Sequence, residues 1–207
     1  MYRSANYPTS ETEAEEFVAW QRHGYLIATP PGGHPQVSIL PFVKRGDEIE
    51  LHCVQEDPTF AAVRANPLVT FLVSDFLAFS RHDWVDPRDG GRATLNFRAV
   101  AYSCEATTST DPSDVAAALA RLLATYEPGA SHEPIVDGDF YGSRLRRLAT
   151  VRLRVLATDA KFKVGPAAPM EVKRRVIAGL RERGEPGDER AADEIEATLR
   201  QPVEREA

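Results

Sequence analysis

The chain has 207 residues, of which 43% are hydrophobic and 27% charged, so it can bury a sizeable core and lacks the composition of a disordered protein. Its formal net charge of −6 argues against nucleic-acid binding by the surface as a whole. No stretch approaches the roughly 20 apolar residues that cross a bilayer, and the N-terminal segment lacks the layout of a secretory signal. We therefore predict a cytoplasmic protein that does not contact a membrane. Both cysteines, Cys53 and Cys104, lie in apolar runs and are expected to be buried thiols rather than a disulfide or a catalytic group.

Up to residue 74 the sequence alternates between short apolar runs and turn formers. Ser10 and Glu13 have the spacing of a capping box, which predicts a helix over 11–23. After it, alternation and β-branched residues favour strands. We predict these strands over 25–29, 36–43, 48–54 and 68–74. Before the last of them, Asp57 followed by Pro58 is typical of the N-cap and first position of a helix.

The rest of the chain adds strands and then ends in charged helices. The polar, turn-rich segment 81–91 predicts a loop. Strands are predicted over 76–80, 94–106 and 151–157, and helices over 112–126, 140–148, 171–183 and 189–200. Short strands joined by tight turns, with inserted helices, indicate a mostly β fold with α (α+β), an antiparallel β-barrel that carries a C-terminal helical pair. We expect a barrel domain over 1–167 and a helical extension over 168–207, packed on the barrel or on a dimer partner.

Four sequence motifs suggest a family. They are SILPF at 38–42, HCVQEDP at 52–58, HDW at 82–84 with ATLNF at 93–97, and DAKFKV at 159–164 followed by RRVIAGL at 174–180. In this order they resemble the FMN-binding negative transcriptional regulator (PaiB-like) family of the pyridoxamine-phosphate-oxidase-type split-barrel superfamily. The resemblance extends from about Thr12 to Gln201. It implies an antiparallel split β-barrel that forms a homodimer, with FMN in the groove between the protomers.

The resemblance also implies where FMN is bound. The candidate contacts are polar, cationic or aromatic side chains, namely Ser38, His52, Gln55, Arg64, Trp84, Thr94, Asn96, Lys161 and Lys163. The FMN phosphate is expected at the start of the helix at 58, since a helix N-terminus attracts anions. The acidic Glu56 and Asp57 oppose this unless three conditions are met: Asp57 is turned inward as an N-cap, Glu56 faces solvent, and Arg64 or a lysine supplies the counter-charge. Structural alternatives remain open: outward strand residues for Ser38 and His52, a core lid for Trp84, and a solvated strand edge for the two lysines.

Two functional hypotheses follow. In the first, the chain is a flavin-dependent redox or regulatory protein; if it is an enzyme, it is an oxidoreductase whose chemistry belongs to the flavin, because no residue has the surroundings of a nucleophile or general base. In the second, it is a cofactor-free transcriptional regulator or interaction module that has lost FMN. The cations on the helix at 171–183 suggest DNA contact, or else ion pairs with the acidic helix that follows. No zinc-ligand spacing and no Walker or Rossmann glycine pattern is present in the sequence.

Overall fold

The structure, a computed structural model, describes residue 1 and residues 5–200 and shows a mixed α+β fold. Its helices are α1 (Glu11–Trp20), α2 (Pro58–Ala65), α3 (Pro112–Tyr126), α4 (Gly142–Leu145), α5 (Met170–Arg183) and α6 (Asp188–Arg200). Its strands are β1 (Gly24–Ala28), β2 (Gln36–Leu40), β3 (Val43–Arg45), β4 (Glu48–Val54), β5 (Leu68–Ser80), β6 (Thr94–Ser109) and β7 (Leu148–Lys163). None of the described helices is long and apolar enough to span a bilayer.

The seven strands form one antiparallel sheet in the order β2-β1-β5-β6-β7-β4-β3. The predicted fold class is therefore confirmed. Several predicted elements have other ends in the structure: the helix predicted over 11–23 ends at Trp20, and the strand predicted over 151–157 extends over Leu148–Lys163. Two further differences concern how strands are divided. The strand predicted over 36–43 is split into β2 and β3 around Pro41, which has no N–H to donate to a sheet. The strands predicted over 68–74 and 76–80 form one strand, β5. The carboxylate of the intervening Asp75 accepts a hydrogen bond from Arg98 at 2.9 Å.

By their contacts, the described residues fall into two compact units. The first unit contains the described residues of 1–14, 74–99 and 160–207, and the second contains 15–73 and 100–159. Strands β5, β6 and β7 each contribute residues to both units. The domain boundary proposed between 167 and 168 stays a prediction.

The core of the second unit follows from the alternation of its strands. In β4, Ile49, Leu51 and Cys53 are buried, while His52 between them is half-buried on the other face. Antiparallel pairing places His52 opposite Thr150 of β7. Helix α2 packs against β1 and β2 and buries Phe60. Strand β2 also lies against β4, although the two are not neighbours in the sheet order, as expected for a sheet that curls into a barrel.

The core of the first unit lies between β5 and the two C-terminal helices. Leu77 and Ala78 of β5 pack with apolar residues of α5 and α6, among them Leu180 and Ile195. Gly187 permits this packing: its φ is +93°, and a Cβ there would lie 2.0 Å from the carbonyl oxygen of Leu77. The two helices therefore contribute buried residues to this unit's core.

Candidate functional site

The start of α2 is closed by the side chain of Asp57. Its Oδ1 accepts a hydrogen bond from the Thr59 N–H at 2.8 Å, and its Oδ2 accepts one from the Ser38 hydroxyl at 2.7 Å. The Ser38 and Thr59 hydroxyl oxygens are 2.8 Å apart. Asp57 is thus turned inward as an N-cap, and Glu56 is exposed. Two of the three conditions for an anion at this segment are thus met, while the counter-charge from Arg64 or a lysine stays a prediction.

The same arrangement uses up the backbone donors of α2. Pro58 has no N–H, the Thr59 N–H is bonded to Asp57, and the Phe60 N–H donates to the Asp57 carbonyl oxygen at 3.0 Å. The first turn of α2 therefore does not offer the free N–H groups that we expected to receive the FMN phosphate. The residue that caps the helix also excludes an external anion from it.

Three other candidates in the second unit lie separately from the Asp57 cap. Burial lowers the pKa of His52, so its neutral imidazole is favoured and can donate or accept one hydrogen bond. The Gln55 amide nitrogen donates to the Arg146 and Leu148 carbonyl oxygens, each at 3.0 Å. The guanidinium of Arg64 is exposed and lies 5.9 Å from the centroid of the Phe60 ring.

The first unit groups cationic, hydroxyl and aromatic side chains at the start of β6 and the end of β7. The Lys163 ammonium donates a hydrogen bond to the Thr94 hydroxyl oxygen, and the Lys161 ammonium lies 6.0 Å from the centroid of the Phe97 ring. All four side chains are half-buried. These two pairs, Lys163 with Thr94 and Lys161 with Phe97, are together called the lysine cluster below. They supply two positive charges, a hydroxyl group and an aromatic ring, the kinds of group that a phosphorylated aromatic ligand needs.

Asn96 has its bonding capacity filled within the protein. It is fully buried, at 0% exposure. Its amide nitrogen donates to the Ala78 carbonyl oxygen at 3.1 Å and to the Ser80 hydroxyl at 2.7 Å, and its carbonyl oxygen accepts from the Gly165 N–H at 2.8 Å. The structure thus assigns Asn96 the task of holding the segment after β7 against β5.

Trp84 lies beneath α5, and this position favours the interpretation that it is a core lid. A Cβ at Gly179 would lie 2.4 Å from Cε2 of the indole, and the Arg183 guanidinium is 5.2 Å from the ring centroid. Arg175 donates to the backbone carbonyl oxygens of Trp84 and Val85 at 3.3 and 3.2 Å. Contact between Trp84 and a ligand stays a prediction.

The cations of α5 are largely engaged by neighbouring groups of the first unit. Arg181 donates to Asp193 of α6 at 2.8 Å, and Arg183 is ion-paired with the buried Asp188 at 2.5 Å. These bonds match the alternative of ion pairs between the two helices. They leave fewer charges on α5 for a polyanion, so no specific observation favours DNA binding.

Sequence reasoning missed two members of these clusters. Thr59 joins Ser38 and Asp57 through a hydrogen bond, and Phe97 supplies the ring beside Lys161. Thr59 follows an N-cap Asp and a Pro, and Phe97 shares a strand face with Leu95 and alternates with Asn96. Both positions therefore carried a signal for local structure. Neither position carried a signal for its contact, because Ser38 and Lys161 are distant from Thr59 and Phe97 along the chain.

Neither thiol is suited to nucleophilic chemistry. Burial, aided by the charge of Asp57, raises the pKa of Cys53 to about 12, and burial raises that of Cys104 to about 11. Both cysteines are buried and unbridged, as expected. Among the residues that the structure describes, no group of three or more His, Cys, Asp or Glu side chains could hold a metal ion.

Most of the chain matches a known protein family. Residues 1–157 match the model of a family described as a putative FMN-binding domain. A search of curated proteins found no match. The lysine residues of the lysine cluster lie just beyond the matched segment.

Solved structures share the fold at low sequence identity. The flavocytochrome Anf3 from Azotobacter vinelandii has a TM-score of 0.61 at 16% identity, covering 81% of this chain and 74% of its own. The FAD and haem binding protein from Mycobacterium smegmatis has a TM-score of 0.58 at 16% identity, covering 84% and 80%. A conserved hypothetical protein from Mycobacterium tuberculosis has a TM-score of 0.57 at 20% identity, covering 78% and 90%. These similarities show a shared fold.

Proposed function

Because this chain belongs to the family of putative FMN-binding domains, we propose that it binds FMN and works as a flavin-dependent redox or regulatory protein of the PaiB-like type. The proposal is supported by two neighbours of similar fold whose names describe a flavocytochrome and a FAD-binding protein. Neither the family match nor these neighbours support the alternative that the cofactor has been lost. A cytoplasmic location stays a prediction.

The lysine cluster is the observation that carries this proposal. FMN has a dianionic phosphate and a planar ring system, so its site needs cations at one end and an apolar surface at the other. Lys161 and Lys163 supply two ammonium groups, Thr94 a hydroxyl group, and Phe97 a ring, all within one unit. We assign the phosphate to the two lysines, because the N–H groups in the first turn of α2 are already hydrogen-bonded to Asp57.

The remaining candidates have narrower roles in this proposal. His52 is held neutral by burial, so it is suited to one hydrogen bond with a polar ligand atom and not to neutralising a phosphate. Gln55 uses its amide nitrogen within the protein and keeps its carbonyl oxygen as an acceptor. Ligand contacts by Ser38, His52, Gln55 and Arg64 stay predictions.

The chemistry of the bound group would be electron or hydride transfer by the flavin ring. The side chains of the protein would bind the flavin and orient it towards a substrate. With both thiols held protonated by burial, any bond-making step on a substrate is expected to involve the cofactor and not a cysteine nucleophile.

Flavin titration of the wild-type protein and of a Lys161→Gln/Lys163→Gln variant tests the assignment. The quenching of flavin fluorescence is measured for FMN and for riboflavin, which lacks the phosphate. A hydrogen bond to a charged group contributes about 1.5–3 kcal/mol, so we expect FMN binding to weaken by about 10- to 100-fold for each lysine that is replaced. Riboflavin affinity should change by less than about twofold.

A charge-matched control uses two arginines of the same unit. Arg88→Gln/Arg92→Gln removes the same two charges from exposed side chains that pair with Asp86 and Asp89. This control should bind FMN as the wild type does. Wild-type protein that does not bind FMN would refute the proposed function, while unchanged FMN affinity in the lysine variant would refute the assignment of the phosphate.

We further propose a homodimer that uses the outer face of β1 and β2. Val37 and Ile39 alternate with Ser38 and expose 56% and 62% of their surface. Antiparallel pairing places them beside Ile27 and Tyr25 of β1, so the face carries contiguous apolar side chains. A contiguous apolar patch of this kind is typical of a protein interface.

Sedimentation equilibrium tests this interface. The wild type is expected to have the mass of a dimer, and Ile39→Lys is expected to shift it towards the monomer, because a buried lysine charge opposes association. Leu156→Lys, at an apolar residue of the same unit that is 49% exposed, is the control and should remain dimeric. A monomeric wild type, or a dimeric Ile39→Lys variant, would contradict the proposal.

A further inference from the structure

A separate cavity of the second unit lies between α1, β3 and the end of α3. Its volume is about 460 Å³, within the range of roughly 300–1,000 Å³ that small-molecule sites occupy. Its lining includes the polar and aromatic side chains Glu15, Arg22, Phe42, Lys44, Arg45 and Tyr126. None of the side chains assigned to FMN lines it, so its function is a separate question.

The cavity wall has an excess of positive charge. Arg22, Lys44 and Arg45 stand against one carboxylate, that of Glu15. Within residue 1 and residues 5–200, no carboxylate oxygen lies within 4 Å of any of these three cationic groups. The arrangement differs at the adjoining cavity, which shares Arg45: there the Glu50 carboxylate accepts hydrogen bonds from Arg121 at 2.7 Å and from Arg152 at 3.0 Å.

The backbone of this wall is held in place by the Tyr126 hydroxyl group. This group accepts a hydrogen bond from the Phe42 N–H at 3.3 Å and lies 2.9 Å from the carbonyl oxygens of Phe42 and Arg22. The Arg22 guanidinium lies 5.2 Å from the centroid of the Tyr126 ring. These contacts fix the position of Arg22 through its backbone and through the ring face, without using a guanidinium N–H as a donor.

Lys44 is also positioned without an ion pair. Its ammonium group donates to the Gly46 carbonyl oxygen at 2.7 Å and lies 5.7 Å from the centroid of the buried Tyr102 ring. An ammonium group has three N–H donors, so two remain for a ligand. Arg22 and Lys44 are thus pre-positioned, which favours ligand binding because little of their side-chain entropy is lost when the ligand arrives.

The geometry points to a second ligand site, for a small organic molecule with at least two negative charges, either a phosphate ester or a dicarboxylate. Its acid groups would contact Arg22, Lys44 and Arg45, and its carbon skeleton would pack against the apolar part of the lining, which includes Val18 and Phe42. The carboxylate of Glu15 favours a ligand that also carries a hydroxyl or ammonium donor.

Titrations followed by NMR spectroscopy of the 15N-labelled full chain test this site. The probes are glycerol 3-phosphate and malate, with sodium chloride at the same ionic strength as the reference. We expect saturable shifts of the amides of Gly46 and Thr125, two residues of the lining, with one or both probes. A Lys44→Gln/Arg45→Gln variant should bind the same probe at least about tenfold more weakly, since charge-assisted hydrogen bonds are removed.

Three comparisons make the test decisive. Arg88→Gln/Arg92→Gln removes the same charge elsewhere and should leave the affinity unchanged. If the Lys44→Gln/Arg45→Gln variant does not fold, Arg22→Gln replaces it as the charge variant, because it keeps the backbone bonds to Tyr126. Shifts equal to those with chloride, shifts confined to residues 161–165, or equal affinity in the wild type and the folded charge variant would overturn the proposal.

Discussion

Replacing Gly179 with alanine is expected to reverse the usual preference of a helix for alanine. In the middle of an exposed helix this change stabilises a protein by up to about 1 kcal/mol. At Gly179, however, the added Cβ would lie 2.4, 2.6 and 2.7 Å from three atoms of the Trp84 indole. Carbon atoms in contact are separated by roughly 3.5–4.0 Å, so the ring would have to retreat by about 1 Å.

The indole has little room for such a movement. Arg175 holds its backbone, and the Arg183 guanidinium lies over its ring. Overpacking costs about 1–3 kcal/mol, and three indole atoms within 2.7 Å of the added Cβ place this case in the upper part of that range, at about 2–3 kcal/mol. After a gain of about 1 kcal/mol in helix propensity, the net loss should be about 1–2 kcal/mol. For a chain of this length the melting temperature should fall by about 2–8 °C. Differential scanning calorimetry of the purified variant measures this shift.

Two further variants isolate the cause. Ala178→Gly, at the neighbouring exposed position, should lose about 1 kcal/mol because only helix propensity changes there. In a Trp84→Ala background, Gly179→Ala should become neutral or stabilising, since the clash is gone. A Gly179→Ala protein that melts at or above the wild-type temperature would refute the reasoning.

Two further predictions concern pH and thiol chemistry. Hydrogen bonds from Arg121, with help from Arg152, lower the pKa of Glu50 below its ordinary value of 4.5. The stabilisation from these bonds is therefore complete above pH 4.5, and it is lost as the pH falls through the lowered pKa. Urea denaturation should therefore show Arg121→Gln to be less stable than the wild type at about pH 7 and closer to it at about pH 3; an equal difference at both values would contradict this. Because burial raises the pKa of Cys53 and Cys104, a thiol reagent at about pH 8 should label neither in the folded protein and both after unfolding. Rapid labelling of the folded protein would show that the thiols are accessible.

Local signals in the sequence predicted the elements whose ends are set by their own residues. The strand predicted over 48–54 has these bounds in the structure, because its alternation ends at turn residues on both sides. Helix α2 begins at Pro58 after its Asp57 cap, and α3 begins at Pro112 after Asp111 in the same way. Caps and alternation act over a few residues, so they can be seen in the sequence.

Features that depend on distant partners could not be predicted. The strand β5 continues through Asp75, whose carboxylate is ion-paired with Arg98 of β6. Asn96 was expected to contact a ligand, yet its amide group is bonded to residues near 80 and to Gly165. The Asp57 cap was foreseen, but not that Ser38 would share its carboxylate and complete the closure of α2. The sequence singled out Asn96 and Asp57 but not Asp75, and it identified the partner of none of the three.

The bond between Asn96 and the Gly165 N–H bears on how chain length can vary among relatives. This buried amide holds the segment that leads into α5, and the helices beyond it cover Leu77 and Ala78. A relative that ended near residue 167 would lack the helices that cover Leu77 and Ala78 and would leave both apolar residues in water. Evolutionary loss of the two terminal helices should therefore be accompanied by polar replacements at positions 77 and 78, a correlation that sequences of shorter family members can reveal.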